Sequence, residues 1–323
     1  MKAMILAAGL GTRLRPLTLV RPKALAPVMG TTVLEFWTRR LVDAGCEGIA
    51  VNASHLHGRI VEAVREMRAP TPIQVRVEPF LLGTGGGIRN ALDFFGDDPF
   101  LVINGDILCN IPPRLLQEEH VRSGASVSML LHDCEPFNNV AVRSDGAIAG
   151  FGEEARKLAE ADAAVRLMAF TGIHCLDPDV PRDLPPVGFA EIIPVYNKLI
   201  AEGRPPRALF APGLFWREMG SIDAYWAIHK EAAGLPEGFF PPLSTGERVC
   251  IAPGAWVAED VRMEGVVAIG RGARIGEGCA LKDVILWDDV IVEAGSRLTG
   301  CIATDGARIR GAREGEIILG ETS

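Results

Sequence analysis

The sequence of 323 residues predicts an α/β protein in two parts, a three-layer domain with a mixed sheet and then a short left-handed parallel β-helix. Two observations carry this prediction. Short apolar runs alternate with helical patterns up to about residue 233, and an aliphatic residue then recurs every six positions from Ile251. The stretch between them is rich in proline and glycine and lacks periodicity. We therefore predict domains at 1–233 and 249–312, a linker at 234–248 and a tail at 313–323.

The first part contains apolar runs that are long enough for buried strands and carry few charges. Because helix-like patterns lie between them, they predict a Rossmann-like sheet with helices on both faces. The predicted strands are residues 3–9, 48–54, 73–79, 99–106 and 125–133, and the predicted helices are residues 32–44, 58–68, 86–95 and 113–123. Binding sites in such sheets lie at the carboxyl ends of the strands. Those ends lie here near residues 9, 52, 78 and 104.

The pattern becomes less regular after residue 138. The stretch NNVAVRSDGAIAGFGE predicts a hairpin that turns at Asp145-Gly146. Residues 166–180 have the composition of a further strand, and residues 189–203 and 221–234 have helical patterns. These elements complete the sheet domain.

The C-terminal part can be divided into six-residue blocks: IAPGAW, VAEDVR, MEGVVA, IGRGAR, IGEGCA, LKDVIL and WDDVIV. An aliphatic residue, Met or Trp leads each block, and small or acidic residues follow. This period is typical of a left-handed parallel β-helix, in which six residues form one flat side of a triangular coil. The chain provides only about three coils, so we expect them to pack on the first domain or to make a homo-oligomer.

Composition excludes several classes of protein. A hydrophobic content of 48% with 23% charged residues is ordinary for a globular protein, and the net charge of −8 argues against a nucleic-acid binder. The seven cysteines are scattered and form no C-x-x-C pair, so neither disulfides nor a thiolate metal site is expected. The N-terminal apolar run is too short for a signal peptide or a membrane span. We therefore expect a cytoplasmic protein that does not bind membranes.

The segment AAGLGTRLRPLTLVRPKALAP, from Ala7 to Pro27, has an unusual charge pattern. It carries four cations and no acid, although the whole chain is acidic. The cations are Arg13, Arg15, Arg21 and Lys23. Its prolines indicate a stiffened loop rather than a helix, and such a loop can hold charges in a fixed geometry.

The glycine turn has several possible interpretations. A dinucleotide-binding G-x-G-x-x-G turn is disfavoured because Leu14 occupies the third glycine position, and the P-loop pattern is absent. A phosphate-binding glycine loop with Arg13 and a later lysine fits the residues best. The alternative is a strand-to-helix turn with solvated arginines.

The order A-A-G-x-G-T-R-L-x-P-L-T, followed by a Pro-Lys pair in RPKALAP, resembles the sugar nucleotidyltransferase family, also called NDP-sugar pyrophosphorylases. The resemblance covers about the first 230 residues, and many members also carry a C-terminal left-handed β-helix. It implies transfer from a nucleoside triphosphate to a sugar 1-phosphate, giving an NDP-sugar and pyrophosphate, with Mg²⁺ as cofactor. The stretch GTGGGI favours GTP or UTP, as in guanylyl- and uridylyl-transferring members.

The resemblance implies roles for residues of two loops. Arg13 would stabilise the β- and γ-phosphates, and Lys23 would neutralise charge at the α-phosphate. Arg15 and Arg21 are expected at the rim, where they would attract anions. The glycines of EPFLLGTGGGI, residues 78–88, would let a nucleobase lie against bare backbone. The alternative is that this stretch is only a glycine loop before a helix. The nucleotide-binding residues implied are Leu6, Ala8, Gly9, Gly11, Thr12, Glu78, Gly83, Thr84, Gly85 and Gly86.

The resemblance also implies metal and sugar sites. Asp106 of VINGD would bind Mg²⁺. The second carboxylate ligand would come from FWREMGSIDAY, where Glu218 stands in place of the usual aspartate. Asp223 is a nearby alternative ligand. The sugar-phosphate residues implied are Asn104, Asn139, Gly172 and Glu191. The family's F-x-E-K-P motif is not intact: Glu154 occupies the place of its lysine, and Arg156 and Lys157 are displaced.

Two alternative functions remain open on the sequence alone. The altered motifs are compatible with a non-catalytic or regulatory homologue that binds a nucleotide-sugar. A bifunctional acyltransferase is disfavoured because such β-helices often use a histidine base, and all six histidines precede residue 249.

Overall fold

The computed structural model describes residues 1–185, 187–237, 239 and 246–320. The chain divides into two compact units, one of residues 1–9 and 37–218 and the other of residues 10–36 and 219–323. Residues 10–36, which the sequence assigns to the first domain, therefore group with the second unit. Residues 238 and 240–245 of the predicted linker and 321–323 of the predicted tail lie outside the described residues.

The helices and strands are numbered in chain order. The helices are α1 (Val33–Asp43), α2 (His57–Met67), α3 (Gly83–Asn90), α4 (Leu92–Phe95), α5 (Pro113–Ser123), α6 (Gly152–Ala161), α7 (Asp179–Arg182), α8 (Ile193–Ala201) and α9 (Ile222–Gly234). The strands are β1 (Lys2–Leu6), β2 (Pro27–Val28), β3 (Thr31–Thr32), β4 (Gly48–Ala53), β5 (Ile73–Val77), β6 (Phe100–Asn104), β7 (Ile107–Cys109), β8 (Val127–His132), β9 (Asn138–Val142), β10 (Ile148–Phe151), β11 (Arg166–Leu176), β12 (Arg207–Leu209), β13 (Trp216–Glu218), β14 (Val249–Ile251), β15 (Trp256–Val257), β16 (Arg262–Ile269), β17 (Arg274–Ile275), β18 (Ala280–Leu286), β19 (Ile291–Val292), β20 (Arg297–Thr299), β21 (Ile302–Ala303), β22 (Arg308–Ile309), β23 (Ala312–Glu314) and β24 (Ile317–Ile318). Short 3₁₀ turns cover Thr12–Leu14, Leu17–Leu19, Lys23–Leu25 and Glu135–Phe137.

The first unit is built on a mixed sheet with the order β10-β9-β11-β6-β1-β4-β5, and β8 lies between β11 and β12. Strands β5, β4, β1 and β6 are parallel, whereas β11 runs antiparallel to β6, β8 and β9. Each strand predicted before residue 138 is present. The predicted Rossmann-like mixed sheet is therefore confirmed.

The apolar runs of the central strands follow from burial on both faces of the sheet. Met4, Ala50 and Val102 are fully buried and belong to one core cluster. In the same cluster the rings of Phe95 and Phe100 stack with centroids 3.9 Å apart. A parallel sheet covered on both faces requires strands without polar alternation, which is the pattern that the sequence shows.

Local sequence patterns predict the ends of some helices and strands better than those of others. The predicted hairpin is confirmed: β9 and β10 pair antiparallel, and Gly146 has φ +83° in the turn. The helix expected over 86–95 is instead two short helices, because α3 begins at Gly83 and ends before α4. The predicted start at residue 86 is therefore wrong, and the first residues of α3 belong to the loop that carries the predicted nucleotide residues.

The second unit contains parallel strands stacked in the orders β14-β16-β18-β20-β23 and β15-β17-β19-β22. The block leaders Ile269, Ile275 and Leu281 are buried in its core, as expected for a β-helix. We call residues 249–318 the β-helix region. Its strands continue past residue 312, since β24 ends at Ile318.

The first coil of the β-helix region differs from the later ones. Its leading residue Ile251 is 47% exposed and Trp256 is 55% exposed, so neither side chain lies in the core. Self-association through this region stays a prediction.

A histidine is buried in the core of the first unit. His174 on β11 is 1% exposed, and neither ring nitrogen has a hydrogen-bond partner among the described residues. The rings of Phe170 and Tyr196 flank it at 5.3 and 6.0 Å between centroids. Burial lowers the pKa of His174 to about 3, so the folded protein holds it neutral.

We expect acid to destabilise the protein partly through His174. Below about pH 6.5 the unfolded chain binds a proton that the folded chain excludes, so stability falls as the pH drops towards 3. Between pH 7.5 and 5.5 this costs about 1.4 kcal/mol. The drop in thermal midpoint over that interval should be smaller in His174→Leu than in the wild type. The exposed His55, changed to Leu, provides the control, and an equal drop in all three proteins would contradict this account.

Candidate active site

The carboxyl ends of three parallel strands form one row in the first unit. Leu6 at the end of β1 is in register with Asn52 on β4 and with Asn104 on β6. The amide of Ala7 donates to Asn52 Oδ1 at 2.7 Å, and the amide of Gly105 donates to the Leu6 carbonyl at 2.8 Å. The chain that leaves β1 is thereby fixed to both neighbouring strands.

Asn52 also fixes the loop that precedes α3. Its Nδ2 donates to Glu78 Oε1 at 2.7 Å, and the other carboxylate oxygen accepts from the amide of Leu82 at 3.1 Å. Glu78 is 2% exposed; burial raises the pKa of its carboxyl group, and the two hydrogen bonds partly offset this effect. Glu78, which is predicted to bind the nucleotide, therefore stabilises the loop before α3 through buried hydrogen bonds. Asn52 is absent from the predicted site. Its position, as a polar residue near the end of an apolar strand, is the signal that could have indicated it.

The glycines that open α3 lie against the chain itself. A Cβ atom on Gly83 would stand 2.7 Å from the Ala190 carbonyl oxygen, and one on Gly86 would stand 2.8 Å from that of Gly188. The amide of Gly86 also donates to the Ala190 carbonyl at 2.9 Å. Close packing of two backbones therefore explains why glycine occupies these positions. A bare surface for the nucleobase is not needed to explain them. Base binding by main-chain groups of this loop stays a prediction.

A side-chain contact joins the loop to a predicted sugar residue. The hydroxyl of Thr84 donates to Glu191 Oε2 at 2.7 Å and accepts from the amide of Ile192 at 3.1 Å. Glu191 is exposed apart from this contact. Residues expected to bind the nucleotide and the sugar are therefore adjacent in the first unit.

The second unit holds the glycine turn against the predicted catalytic lysine. Gly11 has φ +60°, and a Cβ atom there would stand 2.7 Å from Thr18 Cγ2 and 3.3 Å from Lys23 Cβ. The Thr18 hydroxyl donates to the Gly11 carbonyl at 2.9 Å. Only glycine fits this position, because a side chain would be strained by φ and would displace both neighbours.

The remaining residues of the first loop differ in exposure. Thr12 and Arg13 are exposed within a 3₁₀ turn, and Lys23 is half-buried at the start of another. Ala8 is buried, whereas Gly9 is exposed with open space where a Cβ would stand. Phosphate binding by these groups, which the family resemblance implies, stays a prediction.

Arg21 is not the rim charge that the sequence predicts. Its Nε donates to Asp305 Oδ2 and its guanidinium nitrogen to Asp288 Oδ2, both at 2.6 Å, and its side chain is 14% exposed. Burial lowers the pKa of Arg21, but the carboxylates outweigh burial and leave it above its ordinary value. Arg15, by contrast, is exposed.

The two predicted metal ligands lie on neighbouring strands. Asp106 directly precedes β7, and β13 pairs antiparallel with β7 so that Glu218 stands opposite Ile107. The indole nitrogen of Trp216 donates to the Thr171 carbonyl at 2.9 Å and so ties β13 to β11. Both carboxylates are half-buried.

This pair fits the way proteins bind Mg²⁺. The described residues contain no group of three or more His, Cys, Asp or Glu that could hold a metal. One or two carboxylates suffice for Mg²⁺, because phosphates and waters supply its other ligands. Asp223, the alternative ligand, lies in the first turn of α9, where Ser221 caps the helix by accepting from the Ala224 amide at 3.2 Å.

Two predicted sugar residues, Gly172 and Asn104, lie together at a gap in the pairing of β11. Since β8 lies along one edge of β11, the other edge pairs with β9 through residues 166–169 and with β6 through residues 173–176. Gly172 falls in the gap with φ +76°, and a Cβ there would stand 2.5 Å from Asn104 Nδ2. Asn104 ends β6 and borders this gap, and the exposed Asn139 lies near the start of β9.

The displaced motif of the sugar side falls on a helix. Glu154, Arg156 and Lys157 lie exposed on α6, and Lys157 pairs with Glu153 one turn earlier at 3.1 Å. An exposed helical pair of this kind contributes little to stability.

Comparison with known families decides the classification of the chain. The family described as Nucleotidyl transferase matches residues 2–234. The chain belongs to the nucleotidyl transferase family. Its match spans the whole of the first unit and the N-terminal part of the second.

Curated relatives of this nucleotidyl transferase cover most of its length. It is 29% identical over 302 residues to a mannose-1-phosphate guanylyltransferase from Mycobacterium tuberculosis, covering 91% of this chain and 81% of that protein. It is 33% identical over 249 residues to an N-acetylmuramate alpha-1-phosphate uridylyltransferase from Caulobacter vibrioides, covering 72% of this chain and 96% of that protein. Both relatives are named for transfer to a sugar phosphate.

A solved structure confirms the fold. HddC from Yersinia pseudotuberculosis, crystallised with GMP-PN, aligns with a TM-score of 0.58 and 20% identity, covering 71% of this chain and 98% of that one. At this identity the likeness concerns the architecture of the nucleotidyl transferase alone. No helix among the described residues has the length and apolar character needed to cross a membrane.

Proposed function

We propose that this nucleotidyl transferase joins a nucleoside triphosphate to a sugar 1-phosphate, releasing pyrophosphate and an NDP-sugar. The observation that carries the proposal is the carboxylate pair Asp106 and Glu218 near Asn104 and Gly172, at the carboxyl edge of the sheet. Relatives named as guanylyl- and uridylyltransferases of sugar phosphates support the same reaction.

The chemistry requires no side-chain nucleophile. An oxygen of the sugar phosphate is already anionic and attacks the α-phosphorus in line, so that the bond to the pyrophosphate leaving group breaks. The protein has to position the phosphates and neutralise their charge. Lys23 would do this at the α-phosphate, and Arg13 at the β- and γ-phosphates.

Asp106 and Glu218 would hold the divalent cation that nucleotidyl transferases generally use. When bound, Mg²⁺ supplies positive charge to the phosphate oxygens. Glu218 is one methylene longer than the usual aspartate, so its carboxylate can bind the ion directly or through a water. Both acids are half-buried, so neither residue is fully excluded from solvent.

The nucleobase would bind beside the loop that Glu78 and Asn52 hold in place. Backbone groups of residues 78–88 would contact its edge, as the family resemblance implies. We propose GTP or UTP as the nucleotide, in keeping with the names of the two relatives.

A substrate matrix tests the proposal. The four common nucleoside triphosphates are each incubated with several sugar 1-phosphates and Mg²⁺, and pyrophosphate is measured by a coupled assay. We expect release with GTP or UTP that depends on the sugar 1-phosphate. Binding of an NDP-sugar without turnover in any combination would instead favour the regulatory homologue. A parallel incubation with acetyl-CoA and each NDP-sugar product tests acyl transfer, which we expect to be absent.

A further inference from the structure

The segment that carries Lys23 is held at its N-terminal end by a buried ion pair within the second unit. Arg21 lies between Asp288 and Asp305, with one 2.6 Å hydrogen bond to each carboxylate. The exposed fractions of the two aspartate side chains are 29% and 17%. A buried arginine with two carboxylates is costly to break, because removal of one partner leaves an unpaired charge.

The two aspartates are themselves fixed by the coils of the β-helix region. Asp288 Oδ1 accepts from the amide of Arg271 at 2.8 Å, and Asp305 Oδ1 accepts from the amide of Asp288 at 3.3 Å. Each carboxylate thus uses one oxygen within the stack of coils and the other on Arg21. Because the coils already order both carboxylates, their pairing with Arg21 costs less conformational entropy.

The C-terminal end of the same segment is held through Trp287, the neighbour of Asp288. The fully buried indole donates from Nε1 to the Tyr225 hydroxyl at 3.0 Å, and that hydroxyl donates to the Pro27 carbonyl at 2.5 Å. The guanidinium of Arg21 lies 5.4 Å from the centroid of the Trp287 ring. One tryptophan of the β-helix region therefore contacts one end of residues 21–27 directly and is linked to the other end through Tyr225.

Lys23 lies between these two anchors. It begins a 3₁₀ turn in which the Leu25 amide donates to the Pro22 carbonyl at 2.8 Å and the Ala26 amide donates to the Lys23 carbonyl at 3.1 Å. A single turn of this kind has little stability of its own. Its geometry therefore depends on the packing of its buried residues Ala24 and Leu25 and on what holds its two ends.

We propose that the β-helix region positions Lys23, and that Arg21 is the positioning residue through which Asp288 and Asp305 hold the turn. The inference rests on the proposed function, which assigns Lys23 to the α-phosphate. It gives the β-helix region a part in catalysis without placing any of its side chains on the substrate. A displaced lysine would lose charge stabilisation in the transition state more than in substrate binding, so kcat should fall more than KM rises.

Hydrogen exchange tests the positioning directly and independently of activity. In Arg21→Met we expect faster exchange at the amides of Leu25 and Ala26, and unchanged exchange in β6 of the first unit. Arg310→Met is the matched control, because Arg310 also pairs within the second unit, with Glu293 at 3.7 Å, but lies outside the turn and does not contact Asp288 or Asp305. Unchanged exchange at residues 25 and 26 in Arg21→Met would overturn the proposal.

A double-mutant cycle tests whether Arg21 acts through Lys23. Arg21→Met should lower kcat by about 10–100-fold and change the KM for the triphosphate by less than about 3-fold. In the Lys23→Ala background the same substitution should lower kcat by less than about 3-fold, because the group that it positions is gone. Arg21→Lys, which keeps the charge, should recover part of the loss. Equal losses in both backgrounds would overturn the proposal.

The outcomes separate this inference from the proposed function. Normal turnover by Lys23→Ala would contradict the assigned role of the lysine, whatever Arg21 does. Impaired Lys23→Ala with normal turnover by Arg21→Met would contradict only the positioning role. If Arg21→Met is unfolded at the assay temperature, Asp288→Asn takes its place in the cycle, since it leaves the bond of Arg21 to Asp305 intact.

Discussion

Replacement of Lys23 by alanine is expected to lower kcat by about 10²–10³-fold while leaving the fold intact. A preorganised cation beside the charge that develops on the phosphates stabilises the transition state on that scale, and water cannot replace it without reorganising. Lys23 is half-buried at the surface of its unit, so removal of its side chain leaves no large cavity. Initial rates of pyrophosphate release, with the substrate pair found in the matrix, measure the effect.

The control for this variant is Lys282→Ala, which removes a half-exposed lysine that pairs with Glu264 in the β-helix region. We expect normal kcat in the control and a thermal midpoint close to that of the wild type in both variants. Near-normal turnover by Lys23→Ala would remove the lysine from the mechanism.

The second large effect is expected at the carboxylate pair. Asp106→Asn should lower kcat by at least about 10²-fold and raise the Mg²⁺ concentration needed for half-maximal rate, because the amide binds Mg²⁺ weakly. Glu218→Gln should show the same direction, whereas Glu218→Asp should keep most of the activity, since it retains a carboxylate on β13. Titrations of rate against Mg²⁺ at saturating substrates measure all three variants.

Asp183→Asn is the matched control for the carboxylate series, because it removes an exposed acid that pairs with Lys198 on α8. Its Mg²⁺ dependence should equal that of the wild type. An unchanged Mg²⁺ requirement in both Asp106→Asn and Glu218→Gln would show that the ion is held elsewhere.

The fold could be predicted from the sequence because its determinants are local. The continuous apolar runs of β1, β4 and β6 reflect burial on both faces, and the hexapeptide period reflects the repeat of one coil side. The start of α3 was missed because four glycines in five residues argue against a helix. They are helical because residues 188–191 pack against them, which local propensity cannot indicate.

The partners of the site residues could not be predicted for a related reason. Asp288 and Asp305 lie 267 and 284 positions away from Arg21, so no spacing in the sequence connects them. The same holds for Asn52 and Glu78, which join two loops through buried hydrogen bonds. The motifs predict which residues act, and long-range packing decides what holds them in place.

An oxygen-labelling measurement tests nucleotidyl transfer most directly. The sugar 1-phosphate carries ¹⁸O at all of its phosphate oxygens, and the products of the reaction with unlabelled triphosphate are analysed by mass spectrometry. Attack by the sugar phosphate on the α-phosphorus predicts that every labelled oxygen is retained in the NDP-sugar and that the pyrophosphate is unlabelled. Label in the pyrophosphate, or loss of label from the NDP-sugar, would contradict the proposed reaction.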